Sequence, residues 1–280
     1  MNPTLIIARL TFREATRRKI VLTALLLGLG FLILYSIGFH LLSDQIRHTA
    51  PGNVTGVANS EGHNLIFLAG LYAVTFLSIA MAALIAADTL AGEINSGTIQ
   101  SVVTKPIRRS NVVAGKWLGF AVLLGLYLFL MAGGIILTIW LQSGYLAPHL
   151  LAGVLLIYLE DLLIMSVALM CSSRLSALAT GAVVFGLYGL AFIGGWVEQF
   201  GSLFQSQTAI DIGIVSSLII PSEALWRRAA YEMQSPLSGI LGISPFGTLS
   251  VPSVLMIVYA VIYTAIAVFI SLRVFSRRDL

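Results

Sequence analysis

The sequence predicts an all-α polytopic membrane protein with six transmembrane helices, and three observations predict it. Apolar residues make up 58% of the 280-residue chain and charged residues only 10%, against about 25% charged in a soluble globular domain. Six apolar runs each reach the roughly 20 residues that a helix needs to cross hydrocarbon. The basic residues gather at the ends of those runs, and mostly on alternate connections.

The first element is Leu5–Lys19, where apolar Leu5, Ile6, Ala8 and Phe12 interleave with Arg9, Arg13 and Arg17. That pattern predicts an amphipathic helix over residues 1–19, lying along the membrane interface. The spans follow as Ile20–Leu42, Leu65–Ala87, Val112–Leu141, Leu150–Cys171, Leu175–Val197 and Val254–Phe275. The basic-then-apolar start resembles a signal peptide. Its apolar run is longer than such a peptide carries, and no small-residue cleavage site follows, so the first span is expected to stay.

One set of connections holds Arg9, Arg13, Arg17, Arg18 and Lys19, then Lys105, Arg108, Arg109 and Lys116, then Arg174, then Arg273, Arg277 and Arg278. The other set holds only Arg47, Arg227 and Arg228. The asymmetry predicts a multi-pass protein of the cell's inner (plasma) membrane with both termini in the cytoplasm. On the outer side, Ser43–Asn64 is expected to be a polar loop and Gln142–His149 a tight turn. The long outer segment, 198–252, carries Ala209–Ile220, too short to cross and so expected to be re-entrant or surface-lying. Next in it, Ser222–Gln234 reads as an amphipathic helix with Glu223 and Arg227 paired at i,i+4. Residues 1–280 are expected to form a single transmembrane domain, and no internal repeat is found.

Several function classes are excluded or weakened by composition. The net charge of +4 and pI of about 9.4 come from charges placed for topology, so no nucleic-acid partner is expected. Cys171 is the one cysteine, which rules out a disulfide framework. His40, His48, His63 and His149 lack metal-ligand spacing and read as scattered, solvated imidazoles, with no metal. Trp117, Trp140 and Trp196 sit where indole rings anchor at interfaces. Gly115 and Gly119 make a Gly-xxx-Gly pair that permits close helix approach.

Between the second and third spans lies a polar, punctuated insert, residues 88–116. Asp88 and Glu93 close the second span; Gly97 breaks it, because glycine enters left-handed conformations freely. Thr98 can cap a short helix in which Ile99, Val102 and Val103 form an apolar stripe at i, i+3, i+4. Pro106 ends that helix, and Ser110 is a candidate N-cap for the third span. An ordinary loop between bundle helices has about two to eight residues; this one carries its own helix. A docking surface for a soluble partner explains it best.

These residues resemble a known family. Glu93, Gly97-Thr98, Lys105-Pro106 with Arg109, and Gly115-Lys116 are similar to the motif in permease subunits of the type-2 exporter class of ATP-binding cassette (ABC) transporters. The resemblance implies that the insert is a coupling helix seated in a groove of a separate ATP-binding subunit. It assigns Glu93, Gly97, Thr98, Lys105, Pro106 and Arg109 to the coupling region. It further implies two permease chains, as a homodimer or heterodimer in the lipid bilayer, above two ATP-binding subunits that hold ATP and magnesium. This chain would bind no cofactor itself. A phosphate-binding Gly-x-x-x-x-Gly-Lys-[Ser/Thr] loop is lacking: Gly115-Lys116 is followed by Trp117, and Ser110 stands where the first glycine belongs.

Glu160 and Asp161 fall near the centre of the fourth span, where each carboxylate costs about 2.5–3.5 kcal/mol to insert. Neighbouring residues project about 100° apart, so one helix interface takes only one of them head-on. No Lys or Arg lies at that depth in the six runs. Each acid is therefore expected to be protonated, bonded to Tyr, Ser or Thr, or set in a wet cavity. One reading places them on a transport path or at the permease–permease interface; the other makes them neutral packing acids. An intramembrane hydrolase would need a reactive partner at depth, and all four histidines are peripheral. The alternative of a secondary transporter or channel without an ATPase partner would favour inverted repeats, which are not found.

Overall fold

The computed structural model describes residues 3–49, 55–95, 109–235, 246 and 250–276, with backbone alone at 45–49, 55–59, 90–95 and 109. Among the described residues every regular element is a helix: α1 (Pro3–Ala15), α2 (Lys19–Thr49), α3 (Thr55–Asn95), α4 (Arg109–Ser143), α5 (Leu150–Ser172), α6 (Ala177–Leu203), α7 (Gln207–Ile219), α8 (Ser222–Met233) and α9 (Val254–Ser276). Six are long and apolar enough to cross a membrane, as the hydropathy pattern requires. The chain is a polytopic all-α membrane protein.

Two boundaries differ from the sequence expectation. The Ser43–Asn64 stretch is largely helical, because α2 runs on to Thr49 and α3 begins at Thr55. A helix satisfies its own backbone, so it can continue past the hydrocarbon with polar side chains in water. At 41 residues, α3 is about 60 Å long, twice the roughly 30 Å hydrocarbon thickness. Likewise α6 continues through Glu198 to Leu203, so the outer segment starts after Leu203 rather than at residue 198.

Lipid tails are as apolar as leucine, so helices in a bilayer associate through small residues and hydrogen bonds. Both devices are present. Tyr35 of α2 donates to Ile66 O of α3 (2.9 Å), Tyr158 of α5 to Ala121 O of α4 (2.9 Å), and Trp117 Nε1 of α4 to Ser166 Oγ of α5 (2.9 Å). Trp117, half-buried, thus also ties α4 to α5. The span of α5 is 61% buried, that of α2 only 11%. Hence α3, α4 and α5 are the centre, and α2 presents most of its surface outward.

Helix α1 lies across the start of α4. A Cβ on Gly115 would fall 2.9 Å from Thr4 O, and one on Gly119 2.7 Å from Ala8 O. The Gly-xxx-Gly pair therefore admits the chain's own N-terminal helix. Leu5, Ile6 and Leu10 remain exposed on its other side, as an interfacial helix requires. The face of the bundle at which α1 lies also receives the C-terminal end of α9, whose Ser271 donates to Leu169 O near the end of α5 (3.3 Å).

Helices α7 and α8 form a re-entrant hairpin, bent by 108° at Ile220–Pro221. Descending beside α6, α7 meets Gly201 through Ala209 and Gly194 through Ser216. From there α8 climbs back beside α5, until Met233 fills the space left by Gly153. Both ends of the hairpin thus lie at the face opposite α1. The pair is packed along α6 and α5 rather than across their ends. Asn64 clasps its exit, donating to Tyr145 Oη (2.8 Å) and Met233 O (3.0 Å) and accepting from Ser235 N (3.1 Å).

The α1–α4 crossing yields a test. Gly119→Leu sets a side chain against the α1 backbone, and such overpacking costs roughly 1–3 kcal/mol. Amide exchange over residues 4–15 in detergent is expected to speed up about tenfold. Gly133→Leu, where an added Cβ meets nothing within 4 Å, leaves that exchange unchanged.

Candidate functional site

Two regions carry the polar residues that packing alone does not explain. The first is the root of the 88–116 insert. Glu93 lies in the last turn of α3, and Arg109 is the first residue of α4. Gly97, Thr98, Ile99, Val102, Val103, Lys105 and Pro106 lie outside the described residues. Ser110 is inside α4 rather than capping it, since the helix begins one residue earlier.

What the structure adds is a clasp on both sides of the insert. Arg18, in the turn after α1, donates to Asp88 Oδ2 of α3 (3.1 Å) and to Glu14 Oε1 (2.7 Å). Beside it, Thr11, Ala15, Thr89, Lys116 and Phe120 close around a small void. Thr89 and Lys116 are buried there, although both stand next to a polar insert. Helix α1 therefore packs on the start of α4 at Gly115 and Gly119, and the turn after it reaches α3 through Arg18. A displacement of either root reaches α1.

The second region is at mid-membrane. Glu160 and Asp161 are the middle residues of the 23-residue α5, and both are fully buried. The 100° argument holds, yet both are enclosed because α5 has neighbours on two sides. Asp161 faces α3, where Ser78 Oγ donates to its Oδ1 (2.8 Å). Glu160 sits in electrostatic reach of Glu223, at the tip of the hairpin. Neither oxygen of Glu160 has a hydrogen-bond partner among the described residues, nor does Asp161 Oδ2.

Glu223 is in the first turn of α8, where unpaired N–H groups favour a negative charge. Tyr72 of α3 donates to its Oε1 (3.3 Å). Trp196 Nε1 of α6 in turn donates to Tyr72 Oη (3.3 Å), which leaves the tyrosine proton for Glu223. Gly195 provides the room in which the Glu223 side chain lies.

The expected Glu223–Arg227 pairing is not what Arg227 makes. Its guanidinium clamps Glu198 of α6, Nη1 to Oε1 at 2.6 Å and Nη2 to Oε2 at 2.8 Å, with both side chains buried. Ser250 Oγ also donates to Glu198 Oε1 (2.6 Å). Local spacing suggested the i,i+4 partner, but α8 turns Arg227 toward α6, where Nη2 donates to Glu198 Oε2 and Nη1 lies within ion-pair distance of Oε1; a charge-assisted hydrogen bond of this kind is a strong one. Ser222–Met233 is accordingly not a solvated amphipathic helix: Leu225, Trp226, Arg227 and Met233 are all buried.

Aromatic rings line this region. Tyr72 lies 4.8 Å from Trp226, 5.8 Å from Phe246 and 6.3 Å from Phe192; Tyr188 lies 6.2 Å from Phe76 and 6.4 Å from Phe192. They border a cavity of about 810 Å³ between α2, α3 and α6. The histidines are less uniform than expected. His63 is buried between the rings of Phe39 and Tyr145 rather than solvated, and His40 stands 3.9 Å from Asp44. The His48 side chain lies outside the described residues.

Fold and site together define a multi-pass membrane protein built around a polar centre and a long helix pair projecting at one face. The family profile described as ABC-2 family transporter protein matches residues 5–280, and the chain belongs to that family as an ABC-2 type permease. No curated protein sequence matches it.

The Arg227–Glu198 clamp is testable. Removing one partner leaves the other buried and unpaired, so Arg227→Met is expected to destabilise the protein by about 3–5 kcal/mol. The double replacement Arg227→Met with Glu198→Met is expected to recover most of that loss, read from unfolding in detergent.

Proposed function

We propose that this chain is the membrane-spanning permease subunit of an ATP-driven exporter, moved by a separate ATP-binding subunit. The observation that carries the reading is a family match over residues 5–280, in a chain whose sequence lacks a phosphate-binding loop. The transport class is the family's. That ATP binding is supplied by a partner is the expectation the family resemblance carries.

In this reading residues 88–116 face the cytoplasm and enter a groove of the ATP-binding subunit. Glu93, Gly97, Thr98, Ile99, Val102, Val103, Lys105, Pro106 and Arg109 make that contact. Two permease chains stand side by side above two ATP-binding subunits, which hold ATP and magnesium between them. When the ATP-binding subunits close, they push on the insert. The geometry of its roots supports a lever: α3 runs unbroken to Asn95 beside the insert, and Arg18, Gly115 and Gly119 tie the α1 region to α3 and to the start of α4. A push is then shared by α1, α3 and α4 rather than absorbed by a loop.

Charge reversal at the insert tests this. With the ATP-binding subunit co-expressed, Lys105→Glu with Arg109→Glu is expected to lower ATP turnover by roughly tenfold or more, because like charges across an interface cost several kcal/mol. Membrane abundance of the chain is expected to stay the same. Unchanged turnover would contradict the proposed contact. ATP-dependent uptake into inside-out vesicles marks export; its appearance only in right-side-out vesicles marks import.

A further inference from the structure

We propose that a groove between α2, α3 and α4, beside the α1 face, holds an anionic phospholipid as a resident of the fold. The headgroup phosphate sits on Lys19 and one acyl chain lies along the groove. The inference needs only the membrane fold and is independent of the permease reading.

The groove is small, about 330 Å³, and its shape is that of an amphiphile. Lys19, the first residue of α2, stands at one end. From there Ile20, Ala24 and Leu27 of α2 face Ala80, Met81 and Leu84 of α3. Between Lys19 and Leu27 the wall rises about 12 Å, less than half of the roughly 30 Å hydrocarbon core. The groove therefore stays within one leaflet, with a charge at the water end and an apolar length below it. Leu27 and Leu84 are exposed, so the groove opens sideways, where a lipid can enter.

The polar groups of the wall decide what it takes. Thr23 Oγ1 donates to Lys19 O (2.9 Å) and Tyr127 Oη to Ala24 O (3.3 Å), so both hydroxyls are engaged by the backbone. Lys19 is different. The acids with described side chains at this face, Glu14 and Asp88, both pair with Arg18. Lys19 is exposed and makes no ion pair among the described residues. Its stem can lie on the apolar wall with the ammonium held at the surface, and Arg17 is exposed in the turn just before it.

A free phosphate would answer Lys19 and leave the apolar length empty. A neutral hydrocarbon would do the reverse. A zwitterionic headgroup would bring its own cation against Lys19 and Arg17. An anionic phospholipid satisfies both ends, and basic residues at a membrane surface attract anionic lipid. Occupancy also has a structural consequence. The span of α2 is only 11% buried within the chain, and an acyl chain in the groove gives it a packing partner next to the Arg18–Asp88 pair.

The test is native mass spectrometry of the full chain in detergent, titrated with dioleoyl phosphatidylglycerol or dioleoyl phosphatidylcholine. The two share acyl chains and differ in headgroup charge. The first phosphatidylglycerol is expected to bind at least about fivefold tighter than phosphatidylcholine and to raise the unfolding temperature. Lys19→Gln is expected to bring the two lipids to equal affinity. Ala80→Leu, which fills the groove, is expected to weaken both several-fold. Arg174→Gln, at an exposed cation away from the groove, leaves the preference intact. Glycerol 3-phosphate, a headgroup without chains, is expected to displace no bound lipid. Where lipid-free Ala80→Leu unfolds at a lower temperature than the parent chain, Lys19→Gln and glycerol 3-phosphate carry the test.

Equal binding of the two lipids by the parent chain would overturn the proposal, as would a preference that survives Lys19→Gln. Displacement by glycerol 3-phosphate would overturn it in favour of a bare anion site. So would a Leu84→Cys variant that cross-links to a second copy and retains no lipid, since the occupant is then another copy of this chain.

Discussion

Hydrocarbon supplies no hydrogen-bond partner, and the architecture of this permease follows from that constraint. A polar group taken into the bilayer must be satisfied by the chain itself. The hairpin α7–α8 reaches mid-membrane carrying Glu223 and Arg227, and it stays there because α6 brings Glu198 to meet the arginine. That pair joins hairpin to span. With the hairpin in place α5 is enclosed on a second side, and Glu160 is buried as well as Asp161. Gly194, Gly195 and Gly213 permit the approach: a Cβ at any of them would collide with Ser216, Glu223 or Glu198.

The consequence is a bundle with two mechanically different zones. At the α1 face, small residues and one exposed ion pair fasten α1 to the roots of α3 and α4. Surface pairs such as Arg18–Asp88 contribute at most about 1 kcal/mol, so this clasp can open and close at low cost. Around the middle of α5 the Arg227–Glu198 contact is buried and charged, and breaking it is costly. Under the proposed function, a push at the insert would pass from this clasp along α3 toward the polar centre. Helix α3 belongs to both zones: Asp88 lies at its clasped end and Tyr72, Phe76 and Ser78 at its centre.

Much of this was legible in the sequence, and the parts that were not share a cause. Six long apolar helices and a separate N-terminal helix follow from hydropathy and charge, because the bilayer imposes length and composition on each segment separately. The buried acids on α5 were legible for the same reason. Partners were not. Arg227 looked paired with Glu223 since spacing within one helix is visible, whereas Glu198 lies 29 residues upstream. Gly115 and Gly119 signalled a close helix approach without saying to what; the answer is α1. The depth of the α7–α8 hairpin was hidden because neither short helix can span. Nothing in the sequence sets Tyr72 and Tyr188 apart; the fold places both on one cavity wall, with Tyr72 bonded to Glu223.

The coupling account concentrates on one short stretch, residues 96–108, and one image would test it most directly. A cryo-electron microscopy reconstruction of the chain, purified from membranes with its ATP-binding subunit, is predicted to place that subunit against this stretch. Two copies are expected beneath two permeases. A reconstruction in which the stretch contacts only solvent, with the ATP-binding subunit absent or docked elsewhere, would contradict the account.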